Sequence, residues 1–238
     1  MPLLIAFLVT TGGLEHQQPK QEPATYPISR VQLEAFEAMR SGRCSLIYSW
    51  QYKETKAFSG GVDLTEKTIP KDRLPVLGLD GDAFYTTDRT LEAATKFEDL
   101  AFVHLAYCCR VSDVGIQHLT KLKSIRVLVL YRNSGRFGGN LLPSEFMEKA
   151  KHWPGLLTDK CIDHICNIDG LKTLYLAHNE FTRDAVVKLG KIKTLKHLAI
   201  DDRQVSDRGL EKLRESLPNC KIVVWGGVAP LKPAKKEK

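Results

Sequence analysis

The chain has 238 residues, of which 43% are hydrophobic and 26% are charged, as is ordinary for a globular protein. Its formal net charge of +7 is concentrated at one end, where Pro230–Lys238 carries four lysines and one glutamate. Nucleic-acid binding needs a basic stripe on a folded face, and the sequence contains no such stripe, which argues against a nucleic-acid partner. Residues 226–238 are predicted to be a basic, disordered tail.

Residues 1–27 combine an apolar start with a polar linker. Met1–Gly13 is too short to span a bilayer, and it is similar to the hydrophobic part of a secretory signal without the positive n-region. We expect an exported protein, periplasmic or secreted, with a cytoplasmic location as the alternative. If Met1–Gly13 is not cleaved, this segment is the expected membrane contact. Residues 14–27 are rich in Gln, Pro and Glu, as linkers are.

Residues 28–73 differ in pattern from the rest and are predicted to form a small N-terminal α+β cap. A helix is expected from Ser29–Val31 to Ser41, and a strand over Cys44–Thr55. Solenoids need such caps because their first core layer otherwise faces water. The alternative is a separate α+β module with its own role.

A repeat of about 24 to 26 residues fills 74–225, a period within the range of solenoid repeats. Each unit has apolar residues at helical spacing and then an alternating, strand-like run. The predicted buried helix positions are Leu91, Ala94, Phe97, Leu100, Ile116, Leu119, Leu122, Ile125, Ile162, Ile165, Ile168, Leu171, Val186, Leu189, Ile192, Leu195, Leu210, Leu213, Leu217 and Cys220. The strand of the last unit is predicted to bury Val223 and Trp225.

A Ser/Thr-Asp pair precedes most of these helices. A hydroxyl or carboxylate there accepts from the free N–H groups of the first turn, and an acidic group suits the positive end of the helix dipole. Capping is therefore the favoured interpretation, and a row of ligand or metal carboxylates is the alternative. The pairs are Thr87-Asp88, Ser112-Asp113, Thr158-Asp159 and Ser206-Asp207, with Thr182 followed by a displaced Asp184.

The motif V-[ST]-D-x-G-[IL]-x-x-L at Val111–Leu119 and Val205–Leu213 resembles the leucine-rich repeat family, especially the short repeats of bacterial exported proteins and of F-box-type adaptors. Asn179 and Asn133 occupy the family's usual asparagine position, which the other units lack. The resemblance implies an α/β fold: a leucine-rich repeat solenoid of about five strand–helix units, with a parallel sheet on the concave face and a small N-terminal capping segment. It implies partner binding and no particular partner.

An insertion interrupts the repeat at 134–155. An insertion in a solenoid must leave the stack as a loop, often on the binding face. This one carries Phe137, Phe146 and Trp153, and aromatic side chains of this sort serve as interface anchors. It is predicted either to contact a partner or to fold back as a lid.

The strand residues between the core leucines are predicted to face the concave side, and they are apolar or aromatic through its middle. Such a row is typical of a binding surface. We predict a non-catalytic module that binds a protein through Phe102, His104, Val129, Tyr131, Tyr175 and His197. Alternatively, the N-terminal segment or the insertion covers this surface. The remaining residues predicted on it are Val76, Gly78, Asp80, Ala106, Val127, Thr173, Ala177, Ala199, Asp201, Ile222 and Val224.

Other functions have weaker support in the sequence. His104, His197 and Asp201 are candidates for an enzyme site, but no catalytic or phosphate-binding motif accompanies them. An F-box-like adaptor is a further alternative, although 1–73 lacks a three-helix pattern. The six cysteines are interpreted as structural thiols rather than disulfides. Cys161, His164 and Cys166 are expected to hold no metal, and no cofactor is expected.

Overall fold

The computed structural model describes residues 30–41, 45–48, 62–63, 76–81, 85–131 and 157–226. Six neighbouring strands are parallel, and a helix lies between each successive pair of them. The expected mixed α/β class with a parallel sheet is confirmed, in a solenoid-like arrangement. The elements are α1 (Arg30–Ser41), β1 (Ser45–Tyr48), β2 (Val62–Asp63), β3 (Val76–Gly81), α2 (Asp88–Ala94), β4 (Phe102–Ala106), α3 (Asp113–Leu119), β5 (Val127–Tyr131), α4 (Asp159–Ile165), β6 (Thr173–Tyr175), α5 (Arg183–Val187), β7 (His197–Asp201), α6 (Asp207–Ser216) and β8 (Lys221–Trp225).

The sheet has the order β2-β1-β3-β4-β5-β6-β7-β8, so from β3 to β8 consecutive strands of the chain are neighbours in the sheet. One hydrophobic cluster joins the apolar helix faces to alternate residues of the strands. All the predicted helix positions are buried except Cys220, which is partly buried. The 3.6-residue period therefore identified the core side of each helix correctly.

Serine and threonine cap the helices as predicted. Ser112, Thr158, Thr182 and Ser206 each accept a hydrogen bond from a backbone N–H in the first turn of their own helix. Each of these hydroxyls satisfies a donor that has no partner within the helix.

The aspartates that follow the caps have a second role, which the sequence analysis missed. Asp88 accepts from the backbone N–H and the hydroxyl of Ser112, one unit further on, at 2.7 and 2.5 Å. Asp113 accepts in the same way from Thr158 at 2.8 and 2.5 Å, and Asp159 from Thr182 at 2.9 and 2.6 Å. These carboxylates therefore connect the starts of α2, α3, α4 and α5.

A second set of contacts connects the strand ends. Asn179 is buried and donates to the carbonyl oxygens of Leu130 at 2.7 Å and Leu176 at 3.0 Å. Gln204 repeats this contact one unit later with Leu176 at 3.1 Å, and the Cys108 thiol lies 3.6 Å from the carbonyl oxygen of Gly81. Two units without the asparagine therefore fill its position with another buried donor.

The N-terminal elements cover the start of this stack. Helix α1 has the predicted bounds, packs against α2, and buries Ala35 and Met39 in the common core. Strand β1 lies within the predicted strand over Cys44–Thr55, whose other residues are outside the described ranges, and it pairs antiparallel with both β2 and β3. The first parallel strand therefore has a covered edge.

The register predicted for β8 was wrong. Ile222 and Val224 pair with the core residues Leu198 and Ile200, whereas Val223 and Trp225 point to the other face and are 39% and 40% exposed. At the start of β7, the N–H groups of Lys196 and His197 both donate to the carbonyl oxygen of Lys172. At the start of β8, a single N–H group, that of Lys221, donates to the corresponding carbonyl oxygen, that of Lys196. The last unit is therefore one residue shorter at this point than the unit before it. A strand that is shifted by one residue presents the opposite set of side chains to the core.

Candidate protein-binding surface

The side of the sheet turned away from the described helices is called the far face here. The parallel register aligns its residues in three rows. The first row is Gly78, Phe102, Val127, Thr173, His197 and Lys221, and the second is Asp80, His104, Val129, Tyr175, Ala199 and Val223. The third consists of two separate pairs, Ala106 with Tyr131 and Asp201 with Trp225.

Five of the predicted binding residues lie together on the far face. Phe102, His104, Val129, Tyr131 and Tyr175 belong to the three adjacent strands β4, β5 and β6, and all are half-buried. The rings of Phe102 and His104 stack at 6.2 Å between centroids with an interplanar angle of 16°. Burial raises the pKa of the Tyr175 hydroxyl. His197 lies further along in β7 and is exposed.

Several residues expected to be accessible on this face are buried. Val76 joins the hydrophobic core because the pairing of β3 with β1 shifts by one residue between Gly78 and Val76. Ala199 is buried because its short side chain lies between those of Tyr175 and Val223 in the same row. Ile222 and Val224 belong to the core face, as described above. The other buried residues are Gly78, Ala177 and Asp201.

Asp80 and His104 form a polar pair within this otherwise apolar surface. Asp80 Oδ1 and His104 Nδ1 lie 2.7 Å apart on neighbouring strands, and the side chains are 47% and 34% exposed. The sequence contains a signal for this pair, because the two residues are one repeat apart at matching strand positions. The contact fixes the ring plane of His104, which stacks on Phe102.

Three rings meet where the parallel strands end. Tyr131 packs edge-to-face against Tyr107 at 5.5 Å and against His178 at 5.1 Å, with interplanar angles of 79° and 88°. Tyr107 and His178 adopt left-handed backbone angles, φ 60° and 62°. A non-glycine residue pays about 1 to 3 kcal/mol for a sparsely populated conformation, so the surrounding packing must hold both residues there.

A buried carboxylate anchors this group of rings. The Asp201 side chain is 4% exposed and accepts the backbone N–H of His178 at 2.5 Å, with His178 Nδ1 3.8 Å away. The sequence analysis missed Tyr107 and His178 because the spacing of apolar residues does not indicate which residues other than glycine adopt a positive φ. It treated Asp201 as an accessible surface residue.

The candidate enzyme residues lie apart. His104 and His197 belong to β4 and β7, three strands apart, which corresponds to roughly 14 Å at the usual strand spacing. Asp201 is buried beside His178 rather than beside either of these histidines. The structure therefore places the proposed three-residue group at separate points of the far face.

The described cysteines, 108, 109, 161, 166 and 220, are thiols that take no part in disulfide bonds. Burial raises the pKa of Cys109 to about 12 and that of Cys161 well above its ordinary value, which keeps both protonated at neutral pH. Cys166 Sγ lies 3.5 Å from the carbonyl oxygen of Lys188. Within the described ranges, no three His, Cys, Asp or Glu side chains are grouped as a metal site requires.

Other predictions fall on residues outside the described ranges. They concern Phe137, Phe146 and Trp153 of the 134–155 insertion, the apolar segment Met1–Gly13 and the tail 227–238. No helix among the described residues is both long enough and apolar enough to cross a bilayer. Comparison of the sequence with known protein families and with curated proteins finds no match.

Proposed function

We propose that this chain is a leucine-rich repeat protein that binds a protein partner through the far face and the 134–155 insertion, without catalysis. The observation that supports it most is the group of Phe102, His104, Val129, Tyr131 and Tyr175 on three adjacent strands. Aromatic residues on a rigid sheet lose little conformational entropy on binding and supply much of the energy of protein interfaces.

The chemistry of this surface suits a partner with both apolar and basic groups. Phe102, Val129 and Tyr175 offer apolar area at the centre of the far face. Asp80 adds a half-exposed carboxylate at one side, which would pair with a cationic side chain at the rim of an interface. In the sequence, the insertion begins three residues after Tyr131, the last residue of β5.

The test is a comparison of the wild-type chain with Tyr131→Glu and Tyr175→Glu, and with Lys172→Glu as the matched control. Lys172 is exposed and precedes β6, so the control adds the same charge outside the group. Each tagged protein is expressed in cells of the source organism, cross-linked and captured, and bound proteins are quantified by mass spectrometry. We expect a partner that the wild type and Lys172→Glu retain and both tyrosine variants lose.

Circular dichroism and thermal unfolding of the same variants separate binding from folding. If the tyrosine variants unfold, these rings support the fold and the binding proposal fails. If they fold and capture the same proteins as the wild type, the far face is not the interface.

The location of the protein is part of the proposal and has its own measurement. An exported protein places the partner in the envelope or outside the cell. Mass-spectrometric identification of the mature N-terminus in the source organism decides this point. Cleavage near Gly13 supports export, and an intact Met1 contradicts it.

A further inference from the structure

The last strand of the sheet presents an outer edge with which no strand in the described part of the chain pairs. On its far-face side, Val223 and Trp225 are 39% and 40% exposed, more than any other large hydrophobic residue in the strands from β4 to β8. An exposed, apolar strand edge is a template for pairing with another strand. This feature does not depend on the function proposed above.

The core side of the same strand is also incompletely covered. Ile222 and Val224 are only partly buried, whereas their register partners Leu198 and Ile200 are buried in the same cluster. The difference arises because β7 has a strand on each side and β8 has one. A further strand beside β8 would complete the burial of Ile222 and Val224.

The backbone groups available at this edge follow from the pairing with β7. The N–H of Lys221 donates to the carbonyl of Lys196 at 2.8 Å, so Lys221 faces β7. Backbone groups alternate along a strand, and Val223 and Trp225 therefore face β7 as well. The N–H and C=O groups of Ile222 and Val224 point outward, at the second and fourth positions of a five-residue strand.

We propose that β8 pairs antiparallel with β8 of a second copy of this chain, about a two-fold axis that passes between Val223 and the Val223 of the second copy. This register joins the outward groups of Ile222 to those of Val224 in the other copy, and the reverse, with four hydrogen bonds. The available backbone groups of β8 are thus symmetric about its centre, as a self-pairing strand requires.

The side chains fit the same register on both faces. Ile222 lies opposite Val224 of the other copy, so the two cores join through apolar contacts. On the far face, Lys221 lies opposite Trp225, which allows the ammonium group to approach the indole face. An edge strand that carries lysine often avoids association, but here the lysine meets an aromatic partner.

The neighbouring helix has matching charges. Asp207 in the first turn of α6 and Arg214 in its last turn are exposed and lie seven residues apart, on one side of the helix. The two-fold axis sets α6 antiparallel to α6 of the other copy. It therefore brings Asp207 towards Arg214 of the second copy at both ends.

The test is sedimentation velocity of the full chain from about 1 to about 100 µM, a range that detects micromolar association. We expect the mass to rise from 26.8 kDa towards twice that value. Val223→Glu and Val223→Lys each place two like charges face to face and are expected to raise the dissociation constant about tenfold or more. Mixing the two variants in equal amounts pairs opposite charges and restores association. The control Val223→Thr keeps the β-branched shape and remains dimeric.

Each other outcome overturns the proposal. A wild type that stays monomeric throughout, or variants that associate as the wild type does, excludes pairing at β8, provided that circular dichroism shows folded chains. Failure of the Glu and Lys variants to associate with each other excludes the two-fold register. Hydrogen exchange distinguishes a second copy from residues 227–238 as the occupant, because protection of the Ile222 and Val224 amides that does not depend on concentration assigns the edge to the tail.

Discussion

Two copies of one sequence motif, Val111–Leu119 in an interior unit and Val205–Leu213 in the last, have different surroundings. In both copies the serine caps its own helix. Ser112 also donates to Asp88 of the unit before, and Asp113 accepts from Thr158 of the unit after. Among the described residues, no carboxylate accepts from Ser206, and no unit follows Asp207. The motif therefore fixes the local helix, and the neighbouring units decide whether it couples to them.

The largest difference between the two copies is expected in the core. Ile116 and Leu210 occupy the same motif position, with Ile116 at 0% and Leu210 at 8% exposure. Ile116→Ala is expected to lower the free energy of unfolding by about 3 to 4 kcal/mol and Leu210→Ala by about 2, because the end unit collapses more easily around the lost volume. Urea denaturation measures both values. Equal losses would show that the last unit is packed as firmly as the interior.

The next largest effect on stability is expected from the buried donors at the strand ends. Asn179→Ala leaves the carbonyl oxygens of Leu130 and Leu176 without that donor, and we expect a loss of about 2 kcal/mol. Cys108→Ala removes weak thiol contacts of 3.6 Å to the carbonyl oxygens of Gly81 and Ala106, and is expected to cost less than about 1 kcal/mol. A larger loss of stability in Cys108→Ala than in Asn179→Ala would contradict the interpretation that Asn179 is the stronger of the two donors. Thermal unfolding followed by circular dichroism ranks the two variants.

Substitution of the aspartates that follow the two serines measures the contribution of the hydrogen bonds between units. Asp113→Ala removes two hydrogen bonds to Thr158 and the favourable charge at the start of α3, and is expected to cost about 1 to 2 kcal/mol. In the monomer, Asp207→Ala removes only the charge at the start of α6, and about 0.5 kcal/mol is expected. The difference between the two denaturation midpoints measures the link. No difference would mean that these hydrogen bonds add nothing to stability.

The smallest effect expected is a gain. Arg183 occupies, at the start of α5, the position that Asp88, Asp113 and Asp159 hold in other helices. Arg183→Asp is expected to supply the missing acceptor for Ser206 and to stabilise the chain by about 0.5 to 1 kcal/mol. Arg183→Ala is the control, since it removes the arginine without adding an acceptor. If the two variants are equally stable, a carboxylate at position 183 forms no stabilising hydrogen bond with Ser206.

Much of the fold was predictable because its signals are local. The apolar residues from Leu91 to Leu195 recur at helical spacing, and four of the helices begin at a serine or threonine whose side chain caps the helix. Alternation in β4 and β5 also identified which residues of these strands lie on the far face. In β8 the same reasoning failed, because one residue fewer before the strand reverses every side chain and no apolar pattern records that loss.

The candidate site was predicted in part for the same reason. Phe102, Val129 and Tyr175 were found by alternation, which depends only on their own strands. The partners of His104 and Asp201 were not found, because alternation within a strand does not show which residues of neighbouring units meet, although Asp80 and His178 lie about one repeat away, at 24 and 23 residues. Whether two such residues meet depends on the exact length of the unit between them.

The sequence by itself determined the repeat, the buried side of each helix and the capping residues, because periodicity and capping act within a few residues of the chain. Only the tertiary structure decided the register of β8, the carboxylate links between helix starts and the grouping of Tyr107, Tyr131 and His178. These features arise from contacts between units. One residue more or less between two elements changes such contacts without changing the pattern within either element.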